Sequence, residues 1–318
     1  MEYIYPTFLE NRYKPQNPFQ KIICEDNEFV NEALGSFDKQ NEIAGQIVDI
    51  LADMWKNNET SGHKDIVLNG ETIPLELEID RSDSLTDYTR AEMNAMGHKD
   101  DGGTVFTGLK MKVTISQFDA YSLRGNDLKD KLLPIVAHEL MHGNMFSLRI
   151  GHGKDIGTVK WYDTVVRILK GEKNETVRKF AYSMYACYFY ERQAIISSTY
   201  SQLLEMFGPD RIEFLKNKTK SMDKQMAYDY LLKIYKNGLF ETEAFQTYSM
   251  VSRFCKELTA GDIYIINRIF IKYGYEIKAE DETDHMLNVA NEALKDVARN
   301  GSLFFYDVLV PLSEKKEK

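Results

Sequence analysis

Apolar positions along the first half of the chain change period more than once. From Glu28 to about Asn57, Phe29, Val30, Ala33, Leu34, Ile43, Ile47, Ile50, Leu51 and Trp55 recur at helical spacing. That spacing predicts a long helix, with Gly35-Ser36 as the place where it can break. In Asp65-Ile66-Val67-Leu68-Asn69-Gly70-Glu71-Thr72-Ile73-Pro74-Leu75-Glu76-Leu77, an Asn-Gly pair separates two β-prone runs. Asn and Gly tolerate the positive φ of a two-residue turn, so a hairpin is expected. Leu75, Leu77 and Ile79 alternate with Glu76 and Glu78, as a half-buried strand does. The stretch from Arg81 to Gly103 is polar and carries Gly97, Asp100, Asp101, Gly102 and Gly103. It reads as a long excursion ending in a turn, since the acidic pair lacks the other oxygen ligands of a calcium loop. Leu109, Met111, Val113 and Ile115 then alternate with Lys110, Lys112, Thr114 and Ser116, the clearest strand in the chain.

Beyond Asn126 the pattern is helical almost to the end, through segments near 128–149, 157–171, 175–206, 221–236, 240–257, 261–274 and 283–299. No repeat of about 30–45 residues is present, which excludes a solenoid. Residues 1–27 combine Pro, Asn and aromatics without a period and read as an extended arm. The expected fold is α+β: a mixed α/β lobe over 28–150 with a small, mostly antiparallel sheet, then an all-helical lobe over 151–318.

Composition narrows the function. Hydrophobic residues at 43% and charged residues at 28% describe a globular chain rather than a disordered one. Of nineteen Tyr and seventeen Phe, many cluster between Phe180 and Tyr200, which reads as a packed helix. A net charge of -9 argues against gripping nucleic acid, because neutralising phosphates needs a basic face. Cys24, Cys187 and Cys255 are widely spaced with no CxxC pair, so neither a disulfide framework nor a thiolate zinc site is supported. The start, Met1-Glu2-Tyr3-Ile4-Tyr5-Pro6, is unlike a signal peptide, and no run reaches membrane-spanning length. A cytoplasmic protein without membrane partners is expected; association with a phage virion requires no such signals.

The candidate chemistry lies in Leu132-Leu133-Pro134-Ile135-Val136-Ala137-His138-Glu139-Leu140-Met141-His142. Two His four residues apart share one face of a helix, about a turn from each other. Imidazoles so placed can both reach one zinc ion at about 2.0–2.1 Å. Glu139 follows the first His, where its carboxylate can take a proton from water activated by the metal. Pro134 is expected to start or kink this helix, which leaves His138 one turn inside.

Two His need a third ligand. A metzincin continuation would place Gly at 145 and His at 148, but Met145 and Leu148 stand there. His152, in Ile150-Gly151-His152-Gly153, is one candidate, and its alternative role is that of a loop or substrate-facing donor. Asp163, in Gly157-Thr158-Val159-Lys160-Trp161-Tyr162-Asp163, is another, displaced from the spacing an aspzincin would use. The third is Glu191, in Tyr188-Phe189-Tyr190-Glu191-Arg192-Gln193-Ala194. A carboxylate among such apolar neighbours is costly to bury unless it is paired, for example with Arg178, or bound to a cation. A metal explains it more economically.

With these two stretches the chain resembles the gluzincin branch of zinc peptidases, in which a His-Glu-x-x-His helix is joined by a later helix bearing Glu. The resemblance implies a zincin-like fold and a single zinc held by His138, His142 and Glu191, with Glu139 as general base. Peptide or protein is then the implied substrate. In such enzymes a strand preceding the zinc helix presents an edge to an extended peptide, and Lys110 to Phe118 is expected to be that edge. Tyr188, one turn before Glu191, and His152 are candidate donors to a developing oxyanion. One departure stands out: related enzymes often carry Asp four residues after the ligand Glu, and here the residue is Ile195. The alternative expectation is a zincin-fold structural or binding protein with weak or no catalysis.

Overall fold

A computed structural model describes residues 37–82, 88–100, 103–122, 126–151, 160–187, 189–219 and 258–274, with isolated positions between 222 and 257. The expected arm over 1–27 and the helix over 283–299 lie outside the described residues, as do most positions of 221–236 and 240–257.

Helix α1 (Phe37–Asn57) begins directly after Gly35-Ser36. It buries Ile43, Ala44, Ile47, Val48, Leu51 and Met54, a stripe at three- and four-residue intervals. Asn58 ends it in the left-handed region at φ 57, with Glu59 N–H donating to Met54 O and Asn58 N–H to Trp55 O. This is a Schellman stop with Asn in the place usually taken by Gly. Strand β1 (Ser61–Leu68) leads to Asn69 at φ 53 and Gly70 at φ 86, and the chain returns as β2 (Glu71–Arg81). Leu68 pairs with Glu71, so the expected hairpin is present with both turn residues at positive φ.

Strands β3 (Arg90–Asp100) and β4 (Gly103–Ile115) complete a sheet of order β1-β2-β4-β3. The β1–β2 and β3–β4 pairings are antiparallel, whereas β2 and β4 run parallel. The architecture is α+β with a mixed sheet. Two expectations are corrected here. The polar stretch between Arg81 and Gly103 contains β3, whose inward row is Ala91, Met93 and Ala95 and whose outward row is Glu92 and Asn94. It alternates properly but has no β-branched or aromatic residue in those rows, so propensity concealed it. Strand β4 is not an edge, because β2 and β3 flank it; among the described residues the edge on that side is β3.

One face of the sheet is charged. In parallel register, Glu76 lies beside Lys110 and Glu78 beside Lys112. Lys110 Nζ is 2.7 Å from Glu78, and Lys112 Nζ is 3.4 Å from Glu78 and 3.5 Å from Asp80. The Lys110 hydrogen bond, then that of Lys112, holds the Glu78 carboxyl below the usual range, and Glu78 in turn raises both lysines. The opposite face, with Leu75, Leu77, Ile79, Leu109, Met111, Val113 and Ile115, joins α1 and the later helix α3 (Asn126–Gly151) in one core.

Helix α2 (Gln117–Ser122) is started by Ser116, whose Oγ accepts from Asp119 N–H at 3.0 Å. Thr89 donates its hydroxyl to Asp119 and accepts from Ser116 N–H. These buried groups tie the entry of β3 to the exit of β4, and Lys131 of α3 sits 3.7 Å from the other Asp119 oxygen.

The remaining helices are α3 (Asn126–Gly151), α4 (Lys160–Gly171), α5 (Glu175–Cys187), α6 (Phe189–Phe207), α7 (Pro209–Thr219) and α8 (Ala260–Lys272). Helix α7 was not expected from the sequence, although Gly208 at φ 76 followed by Pro209 in the first turn is the chemistry of a stop and a restart. The chain divides into two compact units. The first holds the sheet, α1 to α3, and Gln193–Glu213, and thus most of α6. Within it α1 packs on α3, and Ser201 of α6 donates to Asn41 of α1. The second includes Gly157–Arg192 and the described part of Phe214–Val310. There α5 packs against α4 and α8, with Phe180 and Phe270 edge to face at 5.7 Å.

Candidate metal centre

Helix α3 runs through the histidine motif from Asn126 to Gly151 without a break, so it begins two turns before Pro134 instead of at it. Proline withdraws the hydrogen bond that Asp130 C=O would accept. Asp130 is exposed, and solvent can satisfy that carbonyl. Leu128, Leu132, Val136, Leu140 and Met141 are buried, which fixes the rotation of α3 about its axis. His138 and His142 are half-buried, with ring centroids 5.2 Å apart and planes at 69°.

Helix α6 carries Glu191 in its first turn, two residues before the portion that belongs to the unit of α3. Residues Ala194 to Ser201 are buried in succession, so two turns of this helix have no solvent face. Small side chains, among them Ser197, Ser198 and Ser201, permit that close surround. Glu191 itself is only 2% exposed. One ligand atom each from His138, His142 and Glu191 lies within 4.8 Å of the others. Among the described residues this is the one group of three or more His, Cys, Asp or Glu so arranged.

The donor set suits a divalent cation. Two imidazoles with one carboxylate form a known open zinc site, and an ion bound at about 2.0–2.1 Å by each ligand holds its ligand atoms no more than about 4 Å apart. Around a tetrahedral ion the ligand atoms stand about 3.4 Å apart, so the widest pair needs to close by about 1.5 Å, within reach of side-chain rotation. A carboxylate buried to this degree beside two imidazoles is also where a cation offsets a desolvation cost.

Three contacts fix the helix around this group. Met93 N–H of β3 donates to Glu139 Oε2 at 2.8 Å. Asn69 of the β1–β2 turn donates through Nδ2 to Asn144 Oδ1 at 2.7 Å, two residues past His142. Gly143, between them in sequence, lies against Leu109 and Met93.

Of the other sequence candidates, His152 and Tyr188 lie outside the described residues, and Asp163 stands in α4 with its side chain outside them. Ile195, where the resemblance places Asp, is buried at 3% exposure. Tyr182 on α5 was not singled out from sequence. Burial, chiefly, pushes its hydroxyl above the ordinary tyrosine range; a hydrogen bond with Thr247 works the other way, and the charges of Glu243 and Glu191 add to the rise. Nothing local marks it among nineteen tyrosines. Among the described residues no helix is long and apolar enough to cross a membrane. No protein-family model, curated protein or solved structure matches the chain.

Proposed function

We propose that this chain is a zinc-dependent metallopeptidase of zincin-like fold that hydrolyses peptide bonds. The observation that carries the reading is the convergence of His138, His142 and the buried Glu191 to within 4.8 Å. Zinc held by these three supplies Lewis acidity, which polarises a carbonyl and makes water a stronger acid. Glu139, adjacent to His138 but not in the ligand trio, takes the proton of the attacking water and returns it to the departing amine. Strand β3 takes the place first expected of Lys110 to Phe118: it is the sheet edge in contact with α3, and an extended peptide laid along it meets main-chain donors and acceptors. That geometry favours peptides over substrates without an extended backbone.

The rival is a zincin-fold binding protein, favoured by one observation: Ile195 fills the position where a carboxylate would orient a ligand His. Elemental analysis of purified protein decides the first step. About one zinc per chain, lost in His142→Ala, is expected; iron as the bound metal, or full retention of metal in the variant, overturns the site as drawn. Glu139→Gln should keep the metal and lose cleavage of a peptide library. A wild-type protein that holds zinc and cleaves nothing supports the rival.

A further inference from the structure

Among the described residues β3 is a sheet edge, and the main-chain groups of an edge strand alternate between its partner and the outside. Met93 sits opposite Met111 of β4. The Met93 N–H is directed to Glu139 Oε2 at 2.8 Å, so the main-chain donor at this position points away from β4. The outward donor of an edge strand ordinarily goes to water or to an added strand. Here it goes to the one carboxylate of α3 that follows His138.

We infer that the Met93 main-chain N–H is a positioning group for Glu139, holding one carboxylate oxygen so that the other faces the reacting water. This rests on the metallopeptidase reading. A glutamate has three side-chain torsions, and an untethered carboxylate spreads over several rotamers. A charge-assisted bond to a rigid amide removes most of that freedom. The amide is rigid because Met93 is anchored from three sides: β4 pairs with its strand, its side chain is buried, and that side chain lies under Gly143, one helical turn beyond Glu139. The same residue therefore sets the height of α3 above the sheet and the direction of the carboxylate. A second consequence concerns peptide binding. With its N–H engaged, Met93 cannot donate to a substrate strand, so a peptide laid along β3 leaves the edge at the point where Glu139 stands.

Two measurements test this. In protein labelled with ¹⁵N-methionine, hydrogen exchange of the Met93 amide should be slow for an outward edge position and should accelerate by about tenfold or more in Glu139→Ala. This readout needs no metal and no substrate. Replacement of Met93 by its α-hydroxy acid turns the amide into an ester, deleting the N–H and keeping the side chain. It should lower kcat by about 10- to 100-fold while KM and bound zinc stay at wild-type levels. Combined with Glu139→Gln, the ester should cause no further loss. Met93 exchange that is independent of Glu139, or an ester variant with unchanged kcat, overturns the inference. If the ester protein does not fold, the exchange measurement decides alone. A wild-type chain that cleaves no peptide defeats the metallopeptidase reading, and the exchange result then reports whether the tether itself exists.

Discussion

A Cβ on Gly143 would stand 2.9 Å from Cδ1 of Leu109, a side chain of β4 with no exposure to solvent. The residue after His142 thus lets α3 settle on the sheet without displacing Leu109. Cε of Met93 lies 3.3 Å from the same point. Gly143→Ala is expected to force Leu109 or the helix aside and to destabilise the fold by about 1–3 kcal/mol, as overpacking in a filled core does. Urea unfolding measures this. Because displacement of α3 carries both histidines, zinc affinity by competition with a chelator should fall as well; an unchanged affinity in a destabilised protein would show that the site tolerates movement of its helix.

The turn of the first hairpin reaches the same helix. Asn69 combines positive φ with the hydrogen bond to Asn144, a buried side chain. Asn69→Gly keeps the turn conformation and removes the hydrogen bond to Asn144. A loss of about 0.5–1.5 kcal/mol is expected, the net contribution of one hydrogen bond. The zinc stoichiometry should not change. An effect much larger than this range would mean that the turn itself had failed, which the amide chemical shifts of Leu68 and Glu71 would show.

Helix α8 carries a pH-dependent start. Thr259 is its N-cap, with the Thr259 hydroxyl accepting from Asp262 N–H while the Asp262 carboxylate accepts from Thr259 N–H. The Thr259 hydroxyl first, then its amide, hold the Asp262 carboxyl below its ordinary 3.8. Because the folded value is depressed, the stabilisation is present in full above the unfolded value and is lost as pH falls through the folded one. Asp262→Asn should therefore lower Tm near neutrality, with the difference from wild type shrinking as the solution is made more acid than about 3.8. Thr259→Ala should cost about 1 kcal/mol near neutrality through loss of the cap. Identical Tm differences at both ends of the range would exclude the box as a source of stability.

Much of the candidate site was legible because it is local. His138 and His142 stand four apart on one helix, and a 3.6-residue turn puts them on one face whatever the rest of the chain does. The Asn69-Gly70 turn was legible for the same reason, since positive φ is a property of those residues. Strand β3 was missed although its alternation was present, because Ala91, Met93 and Ala95 satisfy the core by burial and have no strong preference for extended backbone. The expected start or kink at Pro134 failed in its first form. A proline costs a helix one hydrogen bond, and the burial of Leu132, Val136 and Leu140 on either side outweighs it.

By itself the sequence determined an α+β chain, a tight hairpin and a pair of histidines on one helix, all consequences of backbone preference and short-range period. Only the tertiary structure decided which carboxylate meets the histidines, that β3 and not β4 forms the edge, and that Glu139 is held by Met93. Those are contacts between elements far apart along the chain. They depend on how buried surfaces fit, as where Gly143 admits Leu109, and no local pattern of residues encodes that fit.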